Sequence, residues 1–480
     1  GAKNRPSKIC PLTGRYIYIK QWSVSQVLKK LLVSLCIGVC AFNATAQQNN
    51  FDAILQCHNS TDAPGMAVRL EQSGKKIYSG AIGVANIETR RALRVDDIFQ
   101  IGSVTKTFTA AAILKLSEEN KLSLQDTLGK FIPDINSEYK HLTIDRILSH
   151  TSGLPDYLGD PSVSKVYDKY ASIDQIIQSI SKQPLNSEPG QKYSYSNLGY
   201  VLLGKVIEVS SGVPYDQFMH QAFFKPLNMD NTFVITKGTS AGKVKGYTSS
   251  RTEPNKYMHP EESTERQWNV DRSWIYSAGA IASTLADMSR WHNALKSGQV
   301  ISNENFRLMT TKATLVNNEP VNYGFGLDIY PISGMDSFSH QGMVPGFFAW
   351  NVYFPKEDLT ATAFTNLDNK HPGPALLDMI ALQLDLSPKP INAEMTDLIA
   401  KELVGSYRAS DLKILKISYE NGSLYSQYEG ESKRKLIPRE NNSYSYECTE
   451  NYFQLRDNNG KQELVPVYLY QGEQEALIKL

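Results

Sequence analysis

The stretch IFQIGSVTKTFTAAAIL, Ile98 to Leu114, places a serine and a lysine three residues apart at the start of an apolar run. Residues i and i+3 share one face of a helix, so Lys106 can approach the hydroxyl group of Ser103. The N-terminus of such a helix also offers free N–H groups and positive potential to a developing oxyanion. The same residues fit an ordinary helix with a capping serine and an exposed lysine. The S-x-x-K spacing recurs at Ser73, Ser162, Ser179 and Ser432. By itself the spacing therefore does not separate the two interpretations.

The composition is that of a globular protein without a strong charge bias. The sequence has 480 residues, a length that favours more than one domain. Hydrophobic residues make up 41% and charged residues 21%, which is typical of folded rather than disordered chains. The formal net charge is +1, so no global field attracts nucleic acid or an acidic membrane, and neither is an expected partner.

The N-terminal segment has the layout of a secretory signal peptide. Two lysines precede an apolar run that ends in the small residues Ala44-Thr45-Ala46. We therefore assign residues 1–46 to an N-terminal extension with a signal peptide at about 27–46, and expect a periplasmic or secreted protein. A lipid anchor at Cys40 is the less favoured alternative, because the residue before it is bulky.

Cysteine and histidine patterns predict no metal centre and no other cofactor. Cys57 and Cys448 are the cysteines that follow the signal peptide. An oxidising compartment would allow them to pair, but pairing depends on a distance that the sequence does not give. Whether they form a disulfide therefore stays open. Neither C-x-x-C nor H-E-x-x-H occurs in the sequence.

Residues 47–390 form the first predicted domain, with strands at both ends and helices between them. Ser73-Gly74 lies between two β-rich segments and indicates a hairpin. Apolar residues at helical spacing predict helices over Thr107–Glu119 and Gly199–Ser210. The segments SFSHQGMVPGFFAWNVYFP and LTATAFTNL are typical of paired strands that return to a sheet. This order predicts an α+β fold with one sheet built from distant segments.

Residues 391–480 form the second predicted domain, a small all-β unit. A proline-marked linker, Leu386–Met395, lies at its start. Alternating strands then flank Asn421-Gly422 and again Asn459-Gly460, dipeptides that favour tight hairpins. The spacing predicts a small antiparallel sheet or barrel.

Two further motifs place functional residue types at i and i+2. In Tyr195-Ser196-Asn197, an extended backbone would point the tyrosine and the asparagine to the same side. In SHQGMVPGF, His340 and Gly342 would share one face of a strand, where the glycine leaves room for a substrate backbone. Each motif also fits a purely structural interpretation, as a core tyrosine or an isolated strand histidine.

Taken in this order, the S-x-x-K, Y-x-N and H-x-G motifs resemble those of the serine β-lactamase and penicillin-recognising hydrolase superfamily. The likeness is to the branch of class C β-lactamases, D-Ala-D-Ala carboxypeptidases and esterases. It extends over about residues 60–370 through LTIDRILSHTSGLPDY, NSEPGQKYSYSNLGYVLLG and SAGAIASTLADMSRW. The resemblance implies an antiparallel sheet flanked by helices, a helical subdomain and, after them, a small β-barrel domain.

The resemblance also implies a role for each site residue. Ser103 would be the nucleophile that forms an acyl-enzyme, and Lys106 and Tyr195 would transfer its proton. Substrate contacts would come from Asn197, His340, Gly342 and Tyr157, and the oxyanion hole from the backbone N–H groups of Ser103 and Met343. The implied reaction is hydrolysis of an amide or ester bond in a D-amino-acid peptide, an ester or a β-lactam. The expected partner is a small-molecule or peptide substrate.

Several alternatives stay open. Either Lys106 or Tyr195 could act as the base, because the local environment decides which pKa is lowered. Histidine at position 340, in place of lysine, predicts that substrates with a carboxylate bind better below about pH 6.5. A cell-wall sensor with little turnover is the alternative to a hydrolase, and the oligomeric state is not predicted. A G-x-S-x-G match at Gly238–Gly242 lacks the helix that should follow an α/β-hydrolase nucleophile.

Overall fold

The structure is a computed structural model. It describes residues 48–158, 168–237, 239, 242–253, 256–263, 270–389, 402–408, 414–428, 433–447, 449–468 and 471–480. The predicted signal peptide, Ser240 of the G-x-S-x-G match and Cys448 lie outside these ranges. Cys57 is disulfide-bonded, and the question of its pairing with Cys448, left open by the sequence, falls on a residue outside the described ranges. None of the described helices combines the length and the apolar character that crossing a bilayer requires.

In the part of the chain up to residue 389, strands cluster toward both ends and most of the helices lie between them, with helical residues at 51–58 before the first long strand and a helix after the last. The strands are β1 (Met66–Gln72), β2 (Lys75–Ile82), β3 (Val84–Asn86), β4 (Arg91–Ala92), β5 (Phe99–Gln100), β6 (Phe233–Val234), β7 (Thr248–Ser249), β8 (Tyr257–Met258), β9 (Ile281–Ser283), β10 (Asp328–Ile329), β11 (Phe338–Val344), β12 (Phe347–Phe354) and β13 (Leu359–Thr365). The helices are α1 (Thr105–Glu118), α2 (Leu128–Phe131), α3 (Ile144–Leu148), α4 (Ile173–Ile180), α5 (Asn197–Ser211), α6 (Tyr215–Met219), α7 (Tyr276–Gly279), α8 (Leu285–Lys296), α9 (Asn303–Met309) and α10 (Gly373–Leu384). Short 3-10 helices lie at Gly102–Val104, Ser137–Tyr139, Pro260–Glu262 and Arg272–Trp274, and a π-helical turn lies at His220–Phe224.

A six-stranded antiparallel sheet is built from both ends of this domain, in the order β10-β11-β12-β13-β1-β2. Strand β1 pairs with β13, and Met66 lies opposite Thr365. The β1–β2 hairpin turns at Ser73 and Gly74, whose φ angles of 51° and 72° are those that tight hairpin turns require. The predicted α+β fold, with its sheet of distant segments, is confirmed.

Apolar side chains pack on both faces of this sheet. One cluster joins Trp350 of the sheet to Phe51 of the helical residues 51–58 and to Leu376 of α10. The other joins Phe347 of the sheet to the helices that include Phe108 and Leu202. Helices therefore lie on both sides of the sheet.

Helix α1 is buried along most of its length. Its side chains are buried without interruption from Thr105 to Leu114 and again at Leu116, which is typical of a helix inside a core. The helix predicted over Thr107–Glu119 is confirmed, with its start at Thr105. The burial of the whole first turn takes Lys106 out of water.

Helix α5 begins earlier than the sequence predicts. It ends before Gly212, whose φ of 77° provides a left-handed C-cap. Its first residue is Asn197, and the side chain of Ser196 caps it by accepting from the N–H of Gly199. Ser196 itself keeps an extended backbone, with φ of −139° and ψ of 116°, and the prediction that Tyr195 and Asn197 face one cleft is confirmed, although the helix begins at Asn197.

The C-terminal residues form a closed eight-stranded β-barrel. Its strands are β14 (Gly405–Arg408), β15 (Ile414–Glu420), β16 (Ser423–Tyr428), β17 (Arg434–Arg439), β18 (Ser443–Tyr446), β19 (Tyr452–Asn458), β20 (Lys461–Tyr468) and β22 (Leu477–Lys479), and β21 (Gly472–Glu473) pairs with β20. The pairing of β19 with β20 closes the ring. Both predicted hairpins are present, with positive φ at Asn421-Gly422 and at Asn459-Gly460.

Candidate active site

Ser103 lies in the 3-10 turn Gly102–Val104 that leads directly into α1, and strand β11 packs against this turn. A Cβ atom at Gly102, where φ is +51°, would lie 2.7 Å from the backbone nitrogen of Met343. A Cβ atom at Gly342 would lie 2.8 Å from the backbone nitrogen of Ser103. Glycine at both positions therefore allows the backbone of strand β11 to contact the backbone of the turn, so that the N–H groups of Ser103 and Met343 lie close together.

Lys106 is fully buried one turn after Ser103. Its Nζ donates to Ser103 Oγ at 3.0 Å, to Asn197 Oδ1 at 2.8 Å and to the carbonyl oxygen of Ala278 in α7 at 2.8 Å. Burial lowers the pKa of Lys106 to about 7, against the opposing charges of Asp156 and Asp328. The amine is therefore divided between its two protonation states near neutral pH.

Tyr195 reaches the same serine from a different segment of the chain. Its side chain is hydrogen-bonded to that of Ser103, and the Nζ of Lys106 lies 4.9 Å from the centre of its ring. Burial raises the pKa of Tyr195 well above its ordinary value. The phenol is therefore neutral at neutral pH and suited to donate a proton.

Asn197 links Lys106 to an acid that sequence reasoning missed. Its Nδ2 donates to Asp156 Oδ2 at 3.0 Å, and its backbone N–H donates to Asp156 Oδ1 at 3.3 Å. These bonds fix the amide so that its oxygen faces Lys106. Burial raises the pKa of Asp156, and the hydrogen bond from Asn197 acts against this effect. The signal for this acid lies in SGLPDY, where Asp156 directly precedes Tyr157.

Tyr157 is a core residue. Its side chain is 1% exposed, and its hydroxyl group donates to the carbonyl oxygen of Trp274. This burial contradicts the predicted substrate contact, because no face of the ring is left for a ligand.

His340 lies near the other site residues, with its ring centre 6.4 Å from that of Tyr195. Its Nδ1 lies 2.6 Å from the carbonyl oxygen of Gln341, and its Nε2 lies 3.0 Å from the hydroxyl oxygen of Tyr323. Burial, followed by the charge of Lys106, lowers the pKa of His340 to about 3. The expected gain of positive charge below about pH 6.5 is therefore wrong, and the ring stays neutral.

His150 supports the Tyr195 segment from behind and was also missed by sequence reasoning. Its Nδ1 accepts from the N–H of Ser196 at 3.1 Å, and its carbonyl oxygen accepts from the N–H of Ser194 at 2.8 Å. The rings of His150 and Tyr195 are 4.3 Å apart at their centres. Burial lowers the pKa of His150 well below its ordinary value, so Nδ1 stays free to accept. No chemical motif marks this residue in the sequence.

The site gathers Ser103, Lys106, Tyr195 and Asn197 around one hydroxyl group, with His340, Gly342 and Met343 along strand β11. Asp328 in β10 adds a buried carboxyl whose pKa burial raises to about 7. Among the described residues, no group of three histidine, cysteine or acidic side chains is arranged to hold a metal ion. The arrangement provides an attacking oxygen, an amine that is partly neutral at neutral pH, a neutral phenol and adjacent backbone donors, which are the components of acyl transfer.

This α+β fold, with a serine, a lysine and a tyrosine meeting beside the central sheet, is that of the β-lactamase and penicillin-binding class. Residues 48–385 match the protein family described as Beta-lactamase, and the chain belongs to this family. The resemblance inferred from the sequence motifs is thereby confirmed.

The chain is similar to penicillin-binding proteins across much of its length. Penicillin-binding protein 4* of Bacillus subtilis is 28% identical over 383 residues, which cover 76% of this chain and 84% of that protein. Protein flp of Staphylococcus aureus is 29% identical over 196 residues, or 40% of this chain and 39% of that protein.

Solved structures share the fold at lower sequence identity. The octameric penicillin-binding protein homologue from Pyrococcus abyssi has a TM-score of 0.60 and 22% identity, covering 91% of this chain and 100% of that chain. The D-amino acid amidase from Ochrobactrum anthropi SV3 has a TM-score of 0.60 and 22% identity, covering 71% of this chain and 98% of that chain. These similarities establish the fold alone.

Proposed function

We propose that this protein is an exported serine hydrolase that cleaves amide or ester bonds through an acyl-enzyme on Ser103. The observation that carries the proposal is the buried amine of Lys106, 3.0 Å from Ser103 Oγ and with a pKa of about 7. A lysine in this state is partly neutral at neutral pH and can accept the proton of the serine. A serine with only a structural role needs no such base.

In acylation, neutral Lys106 accepts the proton of Ser103 as Oγ attacks the carbonyl carbon of the substrate. The carbonyl oxygen takes the negative charge between the backbone N–H groups of Ser103 and Met343. Tyr195 gives its proton to the leaving amine or alcohol and regains one from protonated Lys106. The bond to the leaving group breaks, and the acyl group stays on Ser103 as an ester.

In deacylation, water replaces the leaving group and attacks the acyl ester. Lys106, neutral again, accepts a proton from water through Tyr195, and Ser103 Oγ leaves with a proton as the acid is released. Of the two bases left open by the sequence, Lys106 is favoured. Burial lowers the pKa of the lysine and raises that of the tyrosine, so the amine is the group that loses its proton near pH 7.

The substrate class follows from the leaving-group side of the site. Neutral His340 offers no cation to a carboxylate on the leaving group, which disfavours substrates that depend on such an anchor. The similar proteins include a penicillin-binding protein and an enzyme named for D-amino acid amides. We therefore propose D-amino-acid amides, simple esters and peptides whose leaving group carries no carboxylate as substrates ahead of β-lactams.

The test compares three proteins against p-nitrophenyl butyrate, D-phenylalanine p-nitroanilide and nitrocefin. The proteins are the wild type, Ser103→Ala and the control Ser117→Ala, which alters a half-exposed serine of the same helix. We expect the wild type and the control to turn over at least one substrate. Ser103→Ala should lose at least about a thousandfold in kcat, as removal of a nucleophile does.

Equal activity of the wild type and Ser103→Ala would overturn the assignment of the nucleophile. Intact-mass measurement of the acylated protein separates a hydrolase from a sensor. An adduct on Ser103 that disappears within the turnover time supports the hydrolase, and an adduct that persists for hours supports a penicillin-recognising sensor instead.

Export is proposed from the signal-peptide layout that ends at Ala44-Thr45-Ala46. Cleavage after Ala46 gives a mature protein that begins at Gln47. N-terminal sequencing of the protein recovered outside the cytoplasm tests this, and an uncleaved N-terminus would contradict it.

A further inference from the structure

Arg272 holds a positive charge beside the site and, among the residues that the structure describes, forms no ion pair. It begins the 3-10 helix Arg272–Trp274. Its Nε donates to Gln100 Oε1, its Nη1 to the carbonyl oxygen of Val270 at 2.8 Å, and its Nη2 to the carbonyl oxygen of Pro345 at 3.0 Å. All three acceptors are neutral.

The nearby acids do not neutralise this guanidinium by direct contact. No ion pair joins Arg272 to a carboxylate among the described residues, although Asp271 and Glu261 act on it at longer range. The carboxylate of Asp271 instead accepts from the N–H of Ser273 at 2.9 Å. Burial lowers the pKa of Arg272 to about 10, so it stays charged at neutral pH. A largely desolvated cation without an anion is costly, and the guanidinium has N–H donors beyond those used in these bonds.

The partners of Arg272 flank both walls of the oxyanion hole. Gln100 lies three residues before Ser103, and Pro345 lies two residues after Met343. Tyr195, which serves the leaving group, lies at the opposite end of β11, beside His340. A substrate that places its carbonyl oxygen at Met343 therefore has its leaving group toward His340 and its acyl chain toward Arg272.

We propose that Arg272 forms a binding site for a carboxylate carried on the acyl part of the substrate. This inference rests on the proposed hydrolase function. It narrows the substrate class to compounds whose acyl chain bears an acidic group, such as a dicarboxylic monoester or a peptide with an acidic side chain before the cleaved bond. Planar guanidinium and carboxylate groups form paired, charge-assisted hydrogen bonds, which give both affinity and orientation.

The test uses two esters with acyl chains of equal length, p-nitrophenyl hydrogen adipate and p-nitrophenyl hexanoate. The two esters differ only in the terminal carboxylate of the adipate. The Ser103→Ala protein gives the background rate of hydrolysis. We expect the wild type to prefer the adipate. Arg272→Gln should lower kcat/KM for the adipate by about 10- to 100-fold, the usual effect of losing a hydrogen bond to a charged group. The hexanoate should change by less than about 3-fold, and Arg272→Lys should recover part of the adipate preference.

The outcomes separate the two proposals. If neither ester is hydrolysed through Ser103, the hydrolase proposal fails. If the hexanoate is hydrolysed but the wild type does not prefer the adipate, the proposed carboxylate site is overturned. The same holds if Arg272→Gln lowers kcat/KM equally for both esters. Arg272 then serves to tie Gln100 to Pro345. The preference of the wild type for the adipate over the hexanoate tests the proposal by itself, so the test does not require that the Arg272 variants fold.

Discussion

Replacing Gly342 by alanine tests whether strand β11 must touch the nucleophile turn. The added Cβ atom would lie 2.0 Å from the carbonyl oxygen of Ile101, 2.8 Å from the nitrogen of Ser103 and 2.9 Å from the nitrogen of Val104. All of these are backbone atoms, so no side chain can rotate away. The strand must move from the turn by about 1 Å or more to restore ordinary contact distances.

That displacement separates the backbone nitrogens of Ser103 and Met343, which receive the same oxyanion in the proposed mechanism. Losing one such donor costs about 3–4 kcal/mol of transition-state stabilisation. We therefore expect kcat to fall by about 100- to 1000-fold in Gly342→Ala. Overpacking should also lower the free energy of unfolding by about 1–3 kcal/mol.

The assay is hydrolysis of p-nitrophenyl butyrate, with thermal unfolding followed on the same samples. The matched control is Gly65→Ala, whose Cβ atom would lie 1.8 Å from the backbone oxygen of Ile82, at the β1–β2 side of the sheet. The control should lose stability and keep the kcat of its folded fraction. A folded Gly342→Ala protein with wild-type kcat would refute the assignment of the Met343 N–H to the oxyanion hole.

Three further predictions concern buried titratable groups, two of them at the site and one, His292, in α8 against Tyr353. His150→Phe keeps a ring against Tyr195 but leaves the N–H of Ser196 unpaired, which should lower kcat by about 10-fold in steady-state kinetics. His150→Asn, which retains an acceptor and tolerates the φ of 56°, should lose less, and equal losses would contradict this role. Burial lowers the pKa of His292 to about 4 in the folded protein. Below about pH 6.5 the histidine of the unfolded chain therefore takes up a proton, whereas the buried histidine of the folded chain stays neutral. In urea unfolding, the free energy of unfolding should therefore decrease as the pH is lowered from 7.5 to 5. His292→Phe should reduce the slope of this free energy against pH by up to about 1.4 kcal/mol per pH unit. An unchanged slope would contradict the burial of His292 in its neutral form. Removing the charge in Asp156→Asn should lower the pKa of Lys106 further, moving the acid limb of the pH–rate profile down by about 1 pH unit. If the acid limb of the pH–rate profile does not move, the limb reports the titration of a group other than Lys106.

Local patterns in the sequence predict much of the framework. The hairpin at Ser73-Gly74 depends on positive φ angles at adjacent residues, a requirement that the dipeptide itself indicates. The helix after Ser103 follows from its unbroken apolar run, and the barrel hairpins follow from Asn-Gly dipeptides. These features depend on neighbours along the chain, which are visible in the sequence.

The remaining features depend on contacts between distant segments. His150 is 46 residues from Ser196, whose N–H it accepts, and Asp156 is 41 residues from Asn197. Whether a polar residue faces the site or the core is also set by packing, as the neighbours Asp156 and Tyr157 show. The expected charge of His340 was wrong for the same reason, because the solution pKa of a histidine omits the desolvation that burial imposes.

The charges around Lys106 give a physical reason for a neutral residue at position 340. Burial lowers the pKa of Lys106, and the charges of Asp156 and Asp328 hold it near 7. A permanent cation in place of His340 would act with burial and lower that pKa further, since like charges disfavour each other in a site with little water. A neutral ring avoids this effect while its hydrogen bonds to Tyr323 and Gln341 keep it in place. The cationic group that we assign to substrate binding, Arg272, lies past Met343 at the other end of the strand. There it can attract an anion with less influence on the base, since the charges that act on the pKa of Lys106 are those of Asp156 and Asp328.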